Sequence, residues 1–225
     1  GAGNGRCQIG AESFAPLDGA CWFPVDLLAS GTLSVSLTVA GKAQTRRLLI
    51  GVYPYPEERI AIADDSKVNP SATDMVRIEA EQARVGALWS ARGPRRFALP
   101  LQGPLAVLPA SGRFGARRVF NGQPRNPHAG ADYAVPTGTV VLAAAAGRVV
   151  LAEEQFFAGK AVYVDHGDGL VTMYFHLSAL LVKTGEDVVA AQTIGKVGAS
   201  GRVSGPHLHW AARWRGARVD PELLL

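Results

Sequence analysis

Apolar and polar residues alternate through Leu33-Ser34-Val35-Ser36-Leu37-Thr38-Val39. A period of two sends every second side chain to one face, the pattern of a strand with one buried side. The segment Arg47-Leu48-Leu49-Ile50-Gly51-Val52 suits a partner strand, and Pro54 and Pro56 end the pattern. From Met75 to Arg92 the period changes. Met75, Ile78, Ala83, Val85 and Leu88 recur at roughly helical spacing, with Glu and Arg between them and no Pro. One amphipathic helix is predicted there, N-capped by Thr73 or Asp74. Beyond about residue 95 short apolar runs return: Gly138 to Val150, Ala161 to Val164, Val171 to Phe175, Val188 to Ala190, Gly195 to Val197 and His207 to Arg213. Each is bounded by Gly, Pro or charged turn residues and is predicted to be a strand. The alanines 143–146 suit a helix by themselves, but β-branched flanks at Val140-Val141 and Val149-Val150 favour a strand bent at Gly147.

These textures divide the 225 residues into an N-terminal β domain (1–63), a linker carrying the helix (64–95) and a second β domain (96–225). High Gly (26) and Pro (14), with few helix-favouring runs, make the chain mainly β. No apolar run reaches the ~18 residues of a membrane span, so no transmembrane segment is expected. The net charge of +4 favours anionic partners. There is no run of five or more Lys/Arg and no alternation of aromatic with basic residues, which argues against nucleic acid. Cys7 and Cys21 form no C-x-x-C pair and lie far from any His. As a disulfide they would close a loop of about 15 residues, worth roughly 3 kcal/mol, and would imply an oxidising compartment. Two buried free thiols are the alternative.

All five histidines lie from residue 128 onward. His128-Ala129-Gly130-Ala131-Asp132 follows Pro127 in a turn-rich stretch, and His207-Leu208-His209 opens a strand after Gly205-Pro206. Positions i and i+2 of a strand share a face, so both imidazoles of the second motif point the same way. Two His and one Asp form a three-ligand set that suits Zn²⁺ and leaves a fourth position open, as catalytic sites do. Spacing does not decide between His207 and His209 as the ligand.

Pro127 to Asp132 and Gly205-Pro206-His207-Leu208-His209-Trp210 resemble the two signature motifs of the lysostaphin/LytM-type zinc endopeptidases. Met173-Tyr174-Phe175-His176-Leu177 is similar to that family's Y-x-H-L element, and Gly195 to Gly201 to its Gly-rich approach to the last motif. The resemblance spans about residues 112 to 221. It implies an antiparallel β-sheet groove of the duplicated-hybrid-motif type, with one zinc ion on His128, Asp132 and His209. It also implies that His176 and His207 line the activated water, one as general base and both steadying the oxyanion. Members of the family hydrolyse peptides of peptidoglycan, so the implied protein is an exported periplasmic or cell-envelope enzyme, expected to be a monomer. More weakly, Tyr53-Pro54-Tyr55-Pro56-Glu57-Glu58-Arg59 followed by a helix resembles the N-terminal β domain that precedes the catalytic domain in some exported members. That domain's bottom-up reading is a small β-sandwich closed by the disulfide.

Other residues carry two readings each. Asn121 and Arg125 either contact substrate or anchor a loop. Tyr174 alternates with His176, and either lines the groove or packs in the core. Arg117-Arg118 either binds wall carboxylates or phosphates, or is a solvated pair. His166, beside the turn signal Asp168-Gly169, supports a hairpin rather than a metal. Two rival functions remain. One is a catalytically silent wall-binding regulator. The other is a lipoyl-like carrier, suggested by Val188 to Gly195, although Lys183 and Lys196 lack the exposed tight turn a carrier needs.

Overall fold

The computed structural model describes residues 5–225. It divides into two compact units, Gly1–Pro54 and Tyr55–Leu225.

The smaller unit holds β1 (Arg6–Ile9), β2 (Glu12–Phe14), β3 (Gly31–Val39) and β4 (Lys42–Ile50), in the antiparallel order β2-β1-β3-β4. The alternating stretch is β3, paired in full register with β4. Ala40 and Gly41 join them with φ of 49° and 76°. Positive φ at both central residues matches the right-handed twist of a two-residue hairpin. Cys7 on β1 is fully buried and forms a disulfide with Cys21. Reducing it should lower the stability of this unit by roughly 3 kcal/mol in the chain-entropy picture. A thiol titration of denatured, unreduced protein checks the bond and should find no free thiol.

In the larger unit β5 (Glu57–Ile60) precedes α1 (Ala72–Ala87), and β6 (Ser111–Gly112), β7 (Arg117–Phe120) and β8 (Gln123–Pro124) follow. The strands continue with β9 (Ala131–Tyr133), β10 (Val140–Leu142), β11 (Gly147–Gln155), β12 (Gly159–Asp165) and β13 (Leu170–Leu180). The last are β14 (Asp187–Val188), β15 (Thr193–Val197), β16 (Leu208–Trp214) and β17 (Ala217–Val219). The main sheet runs β14-β11-β12-β13-β16-β9-β6, with β15 bridging β10 and β13, and β17 on β16. Leu170, Tyr174, Leu177, Ile194, Leu208 and Trp210 are fully buried beneath it. A second sheet, β5-β7-β8, pairs β5 with β7 in parallel. The two units thus part after Pro54 rather than near residue 63, and the stretch Glu57–Ile60 belongs with the larger one.

The helix begins earlier than its apolar spacing suggests. Its N-cap is Ser71, whose hydroxyl accepts from the Asp74 N–H while the Asp74 carboxylate accepts from the Ser71 N–H. This reciprocal pair satisfies two of the helix's free donors, so Thr73 and Asp74 lie inside the helix. Val85, Leu88 and Trp89 pack on Tyr163, Met173 and Ala211 of the sheet, whereas Met75 stays exposed.

The alanine run is not a strand. Residues 143–146 form a buried bend between β10 and β11. Ladder bonds are replaced by others: Ala143 N–H to Gln192 O (2.9 Å), Gln102 N–H to Ala144 O (2.9 Å), and Ala144 N–H to the Tyr174 hydroxyl (2.9 Å). Methyl side chains let this backbone be buried with its polar groups paired.

His166 is fully buried. Its Nδ1–H donates to Ala146 O at 2.8 Å, and Nε2 lies 2.7 Å from the Thr172 hydroxyl. It braces the hairpin and the alanine bend. Burial pushes its pKa down to about 4, only partly offset by the Ala146 carbonyl and Asp165. Between about pH 4 and 6.5 the unfolded chain therefore binds a proton that the folded chain refuses, so stability falls on acidification and levels off below about 4. This one group should contribute about 3 kcal/mol of that loss. Urea unfolding with a chelator present should show a shallower pH slope in His166→Gln than in the wild type.

Candidate metal centre

Strand register assembles the centre. On β16, His209 sits directly opposite Asp132 of β9 on one side and Phe175 of β13 on the other. Cross-strand neighbours share a face, so the three side chains form a row, and Phe175 stacks on the His209 ring at 5.3 Å. Gly112 of β6 lies opposite Asp132 and extends the row.

His128 reaches this row from the loop before β9. Backbone bonds His128 N–H to Ala116 O (2.9 Å) and Gly115 N–H to His128 O (2.7 Å) fix the loop. Gly130 is required by close approach: a Cβ there would lie 2.5 Å from Trp210 O and 2.8 Å from the His209 ring. The imidazole of His128 then donates from Nδ1 to Arg113 O at 3.0 Å. With its proton held there, Nε2 presents a lone pair to the centre.

Three donor atoms converge: His128 Nε2 and Asp132 Oδ1 at 3.0 Å, His209 Nδ1 and Asp132 Oδ1 at 2.7 Å, and the two nitrogens at 3.0 Å. Tetrahedral ligands about 2.0–2.1 Å from zinc are separated by roughly 3.3 Å, so this triangle fits the ion with slight expansion. His128, Asp132 and His209 are also the group whose donor atoms cluster closely enough to hold a metal ion. Burial alone would raise the Asp132 carboxyl, but hydrogen bonds to His128 and His209 override it and hold it well below the usual carboxylate range. Burial, opposed by Asp132, lowers the His209 pKa. Both groups are thus set in their metal-binding protonation states.

His176 and His207 stand beside this triangle. Their rings lie 4.8 Å apart, and His176 is 6.0 Å from His209. Nε2 of His207 is 3.8 Å from Asp132 Oδ1. His207 donates from Nδ1 to Gly205 O and His176 from Nδ1 to Ser200 O, both at 2.9 Å. In the neutral form of either ring the lone pair is then on Nε2. Burial, then the facing His207 and His209, pushes the His176 pKa well down.

A β-bulge delivers His176. Tyr174 pairs with Val162 and Leu177 with Lys160, so Phe175 and His176 together oppose Ala161. His176 takes φ +64°, and its N–H bonds Ala158 O at 2.9 Å. An extra residue re-aims the side chains that follow it, and Phe175 and His176 both come to line the groove. Alternation therefore fails across 174–176. Tyr174 is fully buried, its hydroxyl joined to Ala144 N–H and the Thr172 hydroxyl, so it is a core residue and not a groove residue. Asn121 is likewise an anchor: its side-chain amide donates to Ile62 O (3.0 Å) and accepts from Ile62 N–H (2.9 Å). Arg125 does line the groove, tied to Val68 O and Gln123 Oε1.

The groove has a volume of about 800 Å³. Glu58, Ile60 and Ile62 of the β5 segment form part of its lining, as do Arg118 and Arg202. Arg118 links this wall to the metal centre: it holds Asp132 Oδ2 at 2.8 Å and Glu58 at 3.0 Å. That bond leaves Oδ1 of Asp132 to the two histidines. Far from a solvated pair with Arg117, Arg118 orients Asp132, one of the three groups that could hold a metal ion. Ser200 is a second supporting residue, since its carbonyl fixes His176 while its hydroxyl joins Lys160 N–H to Leu177 O.

The profile of peptidase family M23 matches residues 126–221. Over 123 residues the chain is 42% identical to peptidoglycan DD-endopeptidase ShyC of Vibrio cholerae, covering 54% of this chain and 28% of that protein. Over 111 residues it is 42% identical to peptidoglycan DD-endopeptidase ShyA of the same organism, covering 49% and 26%. The chain thus spans about a quarter of the length of these curated relatives. The crystal structure of a putative peptidase M23 from Pseudomonas aeruginosa is 32% identical and matches with a TM-score of 0.74. That match covers 98% of this chain and 87% of that one.

Proposed function

We propose, since this chain belongs to peptidase family M23, that it is a zinc-dependent endopeptidase that hydrolyses peptide bonds in peptidoglycan. The observation that carries this reading is the convergence of His128 Nε2, Asp132 Oδ1 and His209 Nδ1 in a groove that two further imidazoles line. When bound, the ion supplies Lewis-acid polarisation of a carbonyl and acidifies water. The chain's own residues do the rest. The groove holds a peptide across the row of Asp132, His209 and Phe175 that lines it. His207 and His176 each offer an unprotonated Nε2, and one of them takes the proton of the attacking water. The ring that is protonated then donates a hydrogen bond to the developing oxyanion and passes its proton to the leaving amine as the C–N bond breaks. Arg118 keeps Asp132 in place throughout. A complete ligand set with two poised bases supports an enzyme over a silent regulator.

The same reading puts the protein outside the cytoplasm, in the periplasm or cell envelope, where a Cys7–Cys21 bond persists. It acts there as a monomer. No helix among the described residues is long and apolar enough to cross a membrane. Release of dye-labelled fragments from purified peptidoglycan tests the function. Release should stop on chelation and return with Zn²⁺; release that persists in the metal-free protein contradicts the proposal.

A further inference from the structure

We infer that Arg202 is a specificity-determining residue that receives a free carboxylate of the peptide substrate. The identity of that substrate rests on the peptidoglycan reading; the charge argument does not. Three guanidinium groups, Arg118, Arg125 and Arg202, line the groove. Arg118 is engaged by both Glu58 and Asp132. Arg125 is tied down by the Val68 carbonyl and Gln123. Arg202 has no carboxylate within ion-pair distance among the described residues, while Glu58 and Asp132 are already shared with Arg118.

Arg202 is held in a fixed pose all the same. Its guanidinium lies over Phe157 at 4.3 Å and over Phe120 at 4.7 Å. The backbone N–H of Arg202 donates to Phe157 O at 2.9 Å. Before it, Gly201 at φ +77° passes so close to Gly159 that a Cβ would lie 2.4 Å from its nitrogen. Phe120 is itself packed on Ile60, Ile62 and Val68. Aromatic rings cover the faces of a guanidinium without using its N–H groups, and the planar fork that remains matches a carboxylate in two-bond geometry. Burial, with Arg125 and Arg118 facing it, lowers the Arg202 pKa to about 10. A half-buried, uncompensated cation of this kind is stabilised by an arriving anion. Stem peptides of peptidoglycan carry free carboxylates, and some are masked as carboxamides, so this residue would sort one from the other.

The test uses the full chain loaded with zinc and two readouts. The first is kcat/KM on matched cross-linked muropeptides with stem carboxylates free or amidated. The second is calorimetric binding of an uncleavable stem tripeptide in the same two forms. The wild type should favour the free acid by about 10- to 100-fold in both, the worth of charged hydrogen bonds in a confined site. In Arg202→Gln the two forms should converge. Arg202→Lys, which keeps the charge and loses the fork, should fall between. Zinc content and thermal unfolding matching the wild type show that the variants are folded. Tripeptide binding that does not distinguish acid from amide in the wild type overturns the inference. So does an Arg202→Gln variant that keeps the preference, or that weakens both forms equally as lost packing would. If the wild type binds the acid form through Arg202 yet cleaves neither muropeptide, the endopeptidase reading fails and the Arg202 assignment stands.

Discussion

Replacing Asp132 with Ala will strip the centre of zinc and of activity together. Two imidazoles remain, but a zinc site needs three protein ligands to leave one position open. Its loss should weaken zinc binding by about 100-fold or more, beyond the 10- to 100-fold typical of supporting residues. Turnover should fall by about 10³-fold or more, because the Lewis acid is worth several kcal/mol of transition-state stabilisation. The substitution also removes one of the two carboxylates that hold Arg118. Asp132→Asn, which keeps the shape, separates the two effects, and should retain more of the fold's stability while still losing the metal. Metal analysis of the purified variants is the check, and full zinc occupancy in Asp132→Ala would refute the ligand assignment.

His176→Ala and His207→Ala should behave in the opposite way, keeping zinc and losing turnover. The three groups that could hold the ion, His128, Asp132 and His209, do not include them. Each loss should cost about 10²-fold or more in kcat, the usual worth of a positioned base or one oxyanion donor. His207 lies one alternate position before His209, beside the triangle, with its nearest ring nitrogen 3.8 Å from Asp132. His176 arrives from β13 through its bulge. Because both rings hold Nδ1–H on a backbone carbonyl, their loss should not move the ligands. A His207 variant that loses zinc while a His209 variant keeps it would show the two roles exchanged.

The sequence disclosed what local periodicity and spacing encode. In the His207–His209 pair both rings project to one side, and the antiparallel register of β16 with β9 sets Asp132 opposite His209. The alternating stretch does form β3, although of its apolar positions Val35 alone is buried and Val39 is exposed. Residues controlled by distant pairing stayed hidden. Arg118 gains its role from Asp132, fourteen positions on, and from Glu58, which only the parallel β5–β7 pairing brings alongside. Since that pairing joins the Glu57–Ile60 segment to the larger unit, a boundary at 63 misplaces one wall of the groove. The bulge at Phe175–His176 breaks the two-residue period and puts Tyr174 in the core, which no count of alternating positions discloses. A signal for it exists in retrospect: a bulge is how a strand presents two consecutive side chains to one site. Helix capping was missed for a similar reason, because the Ser71–Asp74 pair lies ahead of the apolar stripe that marks the helix.

If the groove hydrolyses peptide bonds of the wall with the His128–Asp132–His209 centre, the products carry the mark of that chemistry. Mass analysis of the soluble products from purified peptidoglycan tests it most directly, run with wild-type protein, chelated protein and the His207→Ala variant. The zinc-loaded wild type alone should yield fragments whose masses correspond to addition of one water across a peptide bond, with intact glycan strands. Fragments cut within the glycan, or the same peptide products from the chelated protein, would contradict it.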